Sequence, residues 1–238
     1  MTASPPPSVQ KVLSLSSVPN FDPRLAPLEG VDSHLPAVPA SAMTPDALRQ
    51  RFASPPVWTP DVLRDRTVLD REPADASVLL PIVMREQPTV LLTQRTTRLS
   101  SHSGQVAFPG VKADPGDGGP NGTALRETHE EVGITPQYVE VLGHLTNYVT
   151  VTAFNVTPVV ARLHPGFVLE PNPDEVADVF EVPLQFLLDP RHHERHYLEW
   201  EGMRRDWYAM PYQDGDKQRY IWGATAGILR NFYRFMMS

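Results

Sequence analysis

The run Arg126-Glu127-Thr128-His129-Glu130-Glu131-Val132-Gly133-Ile134 constrains this chain more than any other part of it. Glu127, Glu130 and Glu131 stand at positions i, i+3 and i+4. On a helix these are neighbours on one face, with Cβ atoms roughly 5–6 Å apart. Like charges this close repel, so a stable fold keeps them only where water or a cation screens them. Clusters of carboxylate oxygens suit hard divalent cations such as Mg²⁺ or Mn²⁺. The same residues predict a helix end. Leu125, Thr128 and Val132 form a stripe for burial opposite or beside the acids. Gly133 supplies a left-handed C-cap, and Ile134 packs back on the last turn. Taken alone, the helix fits an ordinary solvated acidic face equally well.

What precedes the helix shifts that balance. Gly104-Gln105-Val106-Ala107-Phe108-Pro109-Gly110-Val111-Lys112 is followed by a loop rich in Asp, Gly and Pro through Asn121. Loop and helix together resemble the Nudix hydrolases. Their box runs Gly, five residues, Glu, seven residues, then Arg-Glu-aliphatic-any-Glu-Glu-any-Gly-aliphatic. The second half is met at Arg126, Glu127, Glu130, Glu131, Gly133 and Ile134, with Thr128 where an aliphatic or small residue is usual. The first half departs from the pattern. Val111 takes the place of the second Gly after Phe-Pro, and Asp117 stands for the first Glu, with eight residues between it and Arg126.

This longer, Asp-containing form resembles one branch, the coenzyme A pyrophosphatases. So do Leu91-Leu92-Thr93-Gln94-Arg95, His102, Gly104, Gln105 and Phe108-Pro109-Gly110 upstream. Downstream, Pro173-Asp174-Glu175-Val176, Val182-Pro183-Leu184 and Ile221-Trp222-Gly223-Ala224-Thr225-Ala226 are similar to it too. Thr96 replaces a Ser or Ala of that branch, Ser100 an Arg, and Val111 a Gly. The resemblance covers residues 70–235.

The resemblance implies an α/β chain of Nudix type, an α/β/α sandwich around a mixed β-sheet. It implies hydrolysis of the diphosphate bond of coenzyme A or an acyl-coenzyme A, to adenosine 3′,5′-bisphosphate and (acyl-)4′-phosphopantetheine. Glu127, Glu130 and Glu131 would be ligands of Mg²⁺ or Mn²⁺, with Glu130 and Glu131 in the catalytic set. A main-chain carbonyl at Gly110 or Val111 would add a ligand. Val111 there makes a positive φ costly, so a displaced loop is expected. Glu175 would join the metal cluster or act as base; equally, it reads as an acid at a helix N-terminus. Arg95 and Arg98 are the nearest groups to hold the substrate's 3′-phosphate in place of the Arg missing at 100. Otherwise they close a strand end and lie in solvent.

Other readings come from the residues alone. Arg126 can pair with Glu130 at i, i+4 and so orient a carboxylate. Asp117, among Gly116, Gly118 and Gly119, reads better as a turn residue than as a distant support for the acids. His192, His193 and His196, flanked by Arg191, Glu194 and Arg195, read as an exposed polar turn rather than a metal site. Trp200, Trp207 and Trp222 read as packing.

With 41% hydrophobic and 21% charged residues, the 238-residue chain suits one soluble domain plus an extension. A formal net charge of −7 gives no general attraction to nucleic acid. Without cysteine, disulfide and thiolate chemistry are excluded. No apolar run approaches the ~20 residues of a membrane span, and Met1 to Asn20 lacks the pattern of a secretory signal. A cytoplasmic protein is therefore expected, ahead of an organelle-targeted reading of the Ser-rich N-terminus, with neither nucleic acid nor membrane as partner; the small-molecule nucleoside diphosphate substrate is what the resemblance implies.

Residues 1–60 hold twelve of the twenty-six prolines and read as a Pro-rich arm, with 61–238 as the Nudix hydrolase domain. The apolar residues of the arm suit packing on the domain or on a partner subunit, so a homodimer stays open. Thr44-Pro45-Asp46 opens a short helix to Phe52. Strands are predicted over 77–84, 89–94, 105–108, 139–148 and 153–161, and a hairpin from 199–200 to 207–210 about Gly202. Helices are predicted over 123–132, 175–179, 184–188 and 222–236. Two rival functions remain: a Nudix hydrolase for another nucleoside diphosphate derivative, such as ADP-ribose or a dinucleotide, and a catalytically weak Nudix-fold ligand-binding module.

Overall fold

The structure, a computed structural model, describes residues 13, 15, 18–62, 72–98 and 104–238. Ser100 and His102 lie outside them. In chain order the elements are β1 (Leu28–Val31), α1 (Pro45–Ala53), β2 (Ala74–Val83), β3 (Thr89–Arg95), β4 (Val106–Ala107), β5 (Gly110–Lys112) and α2 (Pro120–Val132). There follow β6 (Val139–His144), β7 (Tyr148–Val149), β8 (Phe154–Leu163), β9 (Val176–Pro183), α3 (Leu184–Leu187), β10 (Glu194–Trp200), β11 (Met203–Asp214), β12 (Lys217–Trp222) and α4 (Gly223–Met237).

The centre of the molecule is the apolar run Leu79-Leu80-Pro81-Ile82-Val83. Such a run suits a strand covered on both faces. Leu79 and Val83 pack with Ala124 and Val132 of α2 on one side, while Leu80 and Ile82 pack with Leu229 and Phe232 of α4 on the other. Around β2 the sheet is ordered β4-β3-β2-β8-β6, with β5 on β2, β7 on β8 and β9 on β3. β2 and β8 are parallel, from Ala74 opposite Phe154 to Val83 opposite Leu163; the other pairings are antiparallel. The result is an α/β/α sandwich about a mixed sheet. A second, antiparallel sheet, β1-β10-β11-β12, packs beside α4, with Met210 and Ile221 in the same core.

Several boundaries differ from the sequence expectation. Residues 175–179 are not helical: Val176 opens β9, which pairs along β3 as far as Pro183. The β-branched Val176, Val179 and Val182 fit a pleated ladder better than a helix. α2 begins at Pro120 rather than Thr123, because a proline at the first helical position needs no amide partner. The predicted strand 139–148 is two, β6 and β7. The hairpin about Gly202 is present and longer than expected, pairing Glu194 to Trp200 with Ala209 to Met203.

His193 and His196 are buried, not an exposed turn. His193 receives an N–H of Arg230 at Nδ1 (3.1 Å), so Nε2 carries the proton and donates to the Leu187 carbonyl (2.8 Å). Residues 18–62 lie along the domain. Thr44 caps α1 by accepting from the Ala47 N–H (3.3 Å), and Val38, Met43 and Leu48 enter the main core. Arg230, itself buried, reaches Asp32 (3.1 Å) and Asp61 (2.7 Å) of this segment. Among the described residues no helix is long and apolar enough to cross a membrane.

Candidate active site

α2 presents its acids differently from a solvated stripe. Thr123, Ala124, Glu127, Thr128, Glu131 and Val132 are its buried residues, so Glu127 and Glu131 point inward with the apolar stripe. Glu130 stays more than half exposed at the rim. Leu125, expected in the buried stripe, is half-buried. A buried carboxylate pays in lost hydration, and burial pushes Glu131 up to about 7. The Gly110 N–H and Arg95 act against this, while the charges of Glu127 and Glu175 add to it. Burial likewise raises Glu127, against the hydrogen bond from Arg126.

Arg126 is paired with the carboxylates around it. Its Nε and Nη2 take Asp117 as a pair (2.6 and 3.1 Å), and its Nη1 bridges Glu127 (2.6 Å) and Glu130 (2.9 Å). Asp117 is therefore more than a turn residue. It also accepts from the Asp114 N–H (2.9 Å) and the Thr123 hydroxyl (2.8 Å). Arg126, first among these partners, holds its carboxyl well below the usual range.

Gly110 meets Glu131 through its N–H (3.2 Å). It has φ +138°, and a Cβ there would stand 2.3 Å from the Ser77 carbonyl oxygen, so only glycine lets β5 lie this close to β2. The positive φ expected at Val111 thus falls on Gly110. Val111 sits in the ladder opposite Ser77, and no displaced loop is needed.

Glu175 arrives from far along the chain. The segment before β9 closes the C-terminal end of α2: Glu170 N–H donates to the Val132 carbonyl and Asn172 N–H to the Glu131 carbonyl, both at 2.9 Å. This satisfies carbonyls that a helix end leaves unpaired. It also brings Glu175 near enough for its charge to raise Glu127 and Glu131. Arg95, at the end of β3, turns its guanidinium toward Glu131 (3.8 Å), whereas Arg98 lies exposed in the turn that follows.

Glu127, Glu130, Glu131, Glu175 and Gly110 are thus gathered at one place, with Arg126 and Arg95 between the acids. Glu127, Glu130 and Glu131 turn to Arg126, Arg95 and the Gly110 N–H rather than to a common point, and among the described residues no three acids or histidines meet in metal-holding geometry. The donor set is nevertheless all oxygen, and two of its members are buried with raised pKa values. A hard divalent cation would relieve that burial cost, so the residues fit such a group. Sequence reasoning gave Thr96 and Asn172 no role in this site. The signal for Asn172 is its place in Asn172-Pro173-Asp174, where the side chain accepts from the Asp174 N–H (3.1 Å) as an Asx turn.

A family profile described as NUDIX domain matches residues 73–209. The Nudix hydrolase NudL of Photorhabdus laumondii subsp. laumondii is 47% identical over 156 residues, covering 65% of this chain and 80% of the relative. That of Shigella flexneri serotype 5b is 44% identical over 169 residues, covering 69% and 85%. That of Escherichia coli K12 is 45% identical over 156 residues, covering 65% and 79%. Among solved structures, the Mycobacterium smegmatis Nudix hydrolase RenU aligns with a TM-score of 0.43 at 22% identity, over 57% of this chain and 85% of its own. A Caenorhabditis elegans Ap4A hydrolase binary complex aligns with a TM-score of 0.41 at 20% identity, over 49% and 85%.

Proposed function

The chain belongs to the NUDIX family of hydrolases, which act on phosphorus-containing anhydrides, and from that premise we propose that it cleaves the diphosphate of coenzyme A or an acyl-coenzyme A. The products are adenosine 3′,5′-bisphosphate and 4′-phosphopantetheine or its acylated form. The observation that carries the reading is the gathering of Glu127, Glu131 and Glu175 from two distant segments beside Arg95, with Arg126 holding Glu127 and Glu130. The choice of coenzyme A is supported by where its resembling motifs fall. Leu91 to Arg95 lies in β3 and Val106-Ala107 forms β4 beside it. The Ile221 to Ala226 motif runs from the end of β12 into α4, where the Thr225 hydroxyl donates to the Val106 carbonyl (3.0 Å).

Glu127, Glu130 and Glu131, with a carbonyl near Gly110, would hold Mg²⁺ or Mn²⁺, and Glu175 would adjoin them. Bound there, the cation supplies a more acidic water and neutralises charge on the phosphoryl oxygens. The chain's own groups do the rest. Arg126, fixed by Asp117, sets the rotamers of Glu127 and Glu130. The proton of the attacking water passes to one carboxylate of the set Glu130, Glu131 and Glu175. Arg95, turned toward Glu131, would face the diphosphate, and exposed Arg98 would read a 3′-phosphate farther out.

Purified protein with Mg²⁺ or Mn²⁺ is given coenzyme A, 3′-dephospho-coenzyme A, ADP-ribose, NADH and diadenosine polyphosphates, and products are resolved by chromatography. Coenzyme A is expected to be the preferred substrate, with turnover lost on chelation and reduced by orders of magnitude in Glu130→Gln. Preference for ADP-ribose or a dinucleotide would replace the coenzyme A reading, and near wild-type turnover in Glu130→Gln would remove Glu130 from the site.

A further inference from the structure

β9 does not enter its pairing with β3 evenly. Gln94 lies opposite Asp178, but Arg95 lies opposite Val176, so Ala177 is left over as a bulge. Bulges re-aim the side chains that follow them, and this one brings Glu175 alongside Thr96. The Thr96 N–H donates to the Glu175 carbonyl (2.9 Å). The Thr96 hydroxyl donates to the Asp174 carbonyl (3.2 Å). Thr96 is buried at 6% exposure, so the donor end of each bond is shielded from water.

The other side of the same segment is fixed to α2 by the Glu170 and Asn172 amides. Glu175 is therefore suspended between the end of the helix that carries Glu127 and Glu131 and the end of the strand that carries Arg95. A single main-chain bond at Thr96 would act as a pivot. A second bond one residue earlier stops rotation about it, and the orientation of the Glu175 side chain follows from the orientation of its backbone.

We propose that Thr96 is a positioning residue whose hydroxyl, through the Asp174 carbonyl, holds the Glu175 carboxylate against Glu127 and Glu131. The inference rests on Glu175 belonging to the site as proposed above. Serine supplies the same hydroxyl, whereas valine keeps the shape and burial without it. A misplacement of about 1 Å in a reacting group costs up to about a hundredfold in rate, and loosening one of the two bonds at Thr96 should cost about tenfold.

Four variants decide the matter: Thr96→Val, Thr96→Ser, Glu175→Gln and the Thr96→Val/Glu175→Gln double variant, with coenzyme A and Mg²⁺. Thr96→Val should lower kcat about tenfold and leave KM within about twofold. Thr96→Ser should restore kcat, and adding Thr96→Val to Glu175→Gln should cost nothing further. In the metal-free protein, amide hydrogen exchange over residues 172–176 should rise in Thr96→Val and not in Thr96→Ser, with protection in α2 unchanged. This arm needs no substrate, so it tests Thr96 even where coenzyme A is not turned over. Wild-type exchange in Thr96→Val overturns the proposal. So does an equal loss of kcat in both backgrounds, or a loss shared by Thr96→Ser. Wild-type turnover in Glu175→Gln removes Glu175 from the site, a different failure from that of Thr96.

Discussion

Arg126, Glu131 and Asp117 show how much one residue's surroundings decide. The sequence places the three glutamates on one face, but only packing distinguishes them: Glu131 is buried, Glu130 exposed. That difference is measurable as linkage. In the folded protein without metal, the Glu131 carboxyl sits at about 7 against an ordinary 4.5. Its folded pKa is raised, so its contribution to stability is present below pH 4.5 and is lost as pH rises through 7. The loss is at most about 3 kcal/mol at 1.36 kcal/mol per pKa unit. Urea unfolding of the metal-free wild type should therefore weaken relative to Glu131→Gln as pH rises from 4.5 to 7.5, and parallel profiles would refute a buried Glu131. Saturating Mg²⁺ at 100 times its dissociation constant should return about 2.7 kcal/mol, and should return less in Glu131→Gln. Asp117→Asn tests the anchor of Arg126. It keeps the turn but removes the charge that Arg126 binds twice, and kcat should fall about tenfold through misplaced carboxylates, with the melting temperature little changed. Unaltered kcat would reduce Asp117 to the turn residue its glycine-rich setting implies.

At the scale of elements, the site is a junction between the C-terminal turn of α2 and the segment leading to β9. Gly133 makes the junction possible: it caps α2 at φ +79°, and a Cβ there would meet the Glu170 Cβ at 2.8 Å. Gly133→Ala combines a left-handed alanine with a displaced neighbour, a cost of about 1–3 kcal/mol. Because Glu170 belongs to the segment that carries Glu175, the variant should lose more activity than a destabilised but intact enzyme would. Turnover per folded molecule, measured well below its melting temperature, separates the two. Equal specific activity would mean that the segment holds Glu175 without the helix cap. The helix and its glycine stop were legible from periodicity and capping chemistry, which act within a few residues. The strand β9 was not, because its identity comes from pairing with β3, some eighty residues earlier in the chain.

Over the whole molecule, the Pro-rich segment and the domain share one buried charge centre, Arg230 with Asp32, Asp61 and His193. Removing the cation leaves carboxylates buried without their main partner, although Arg195 and Arg234 still reach them. Arg230→Met should cost about 3 kcal/mol or more. It should also make residues 18–62 more sensitive to protease. Wild-type stability would mean that the apolar contacts of Val38, Met43 and Leu48 hold the segment unaided. His193, pushed down to about 4 by burial, titrates in the opposite sense to Glu131. Its contribution is present above pH 6.5 and is lost as pH falls through 4. The two slopes oppose each other between pH 4.5 and 6.5. Metal-free wild type should therefore lose less stability on acidification there than Glu131→Gln does. A level profile in that variant would refute the buried neutral His193.

The sequence by itself determined the family, the acidic helix with its ligand candidates, α1 with its cap, the last helix α4, and most strands. These rest on spacings of a few residues, where chemistry and geometry are tied by the helical and pleated repeats. Only the tertiary structure decided that Glu127 and Glu131 turn inward while Glu130 does not. It alone assigned Asp117 to Arg126, turned Arg95 toward Glu131, buried His193 beside Arg230 and hung Glu175 from Thr96. Each of these depends on which distant segments meet, and that is set by how apolar surfaces of α2, the central sheet and α4 exclude water together. No local pattern encodes that choice.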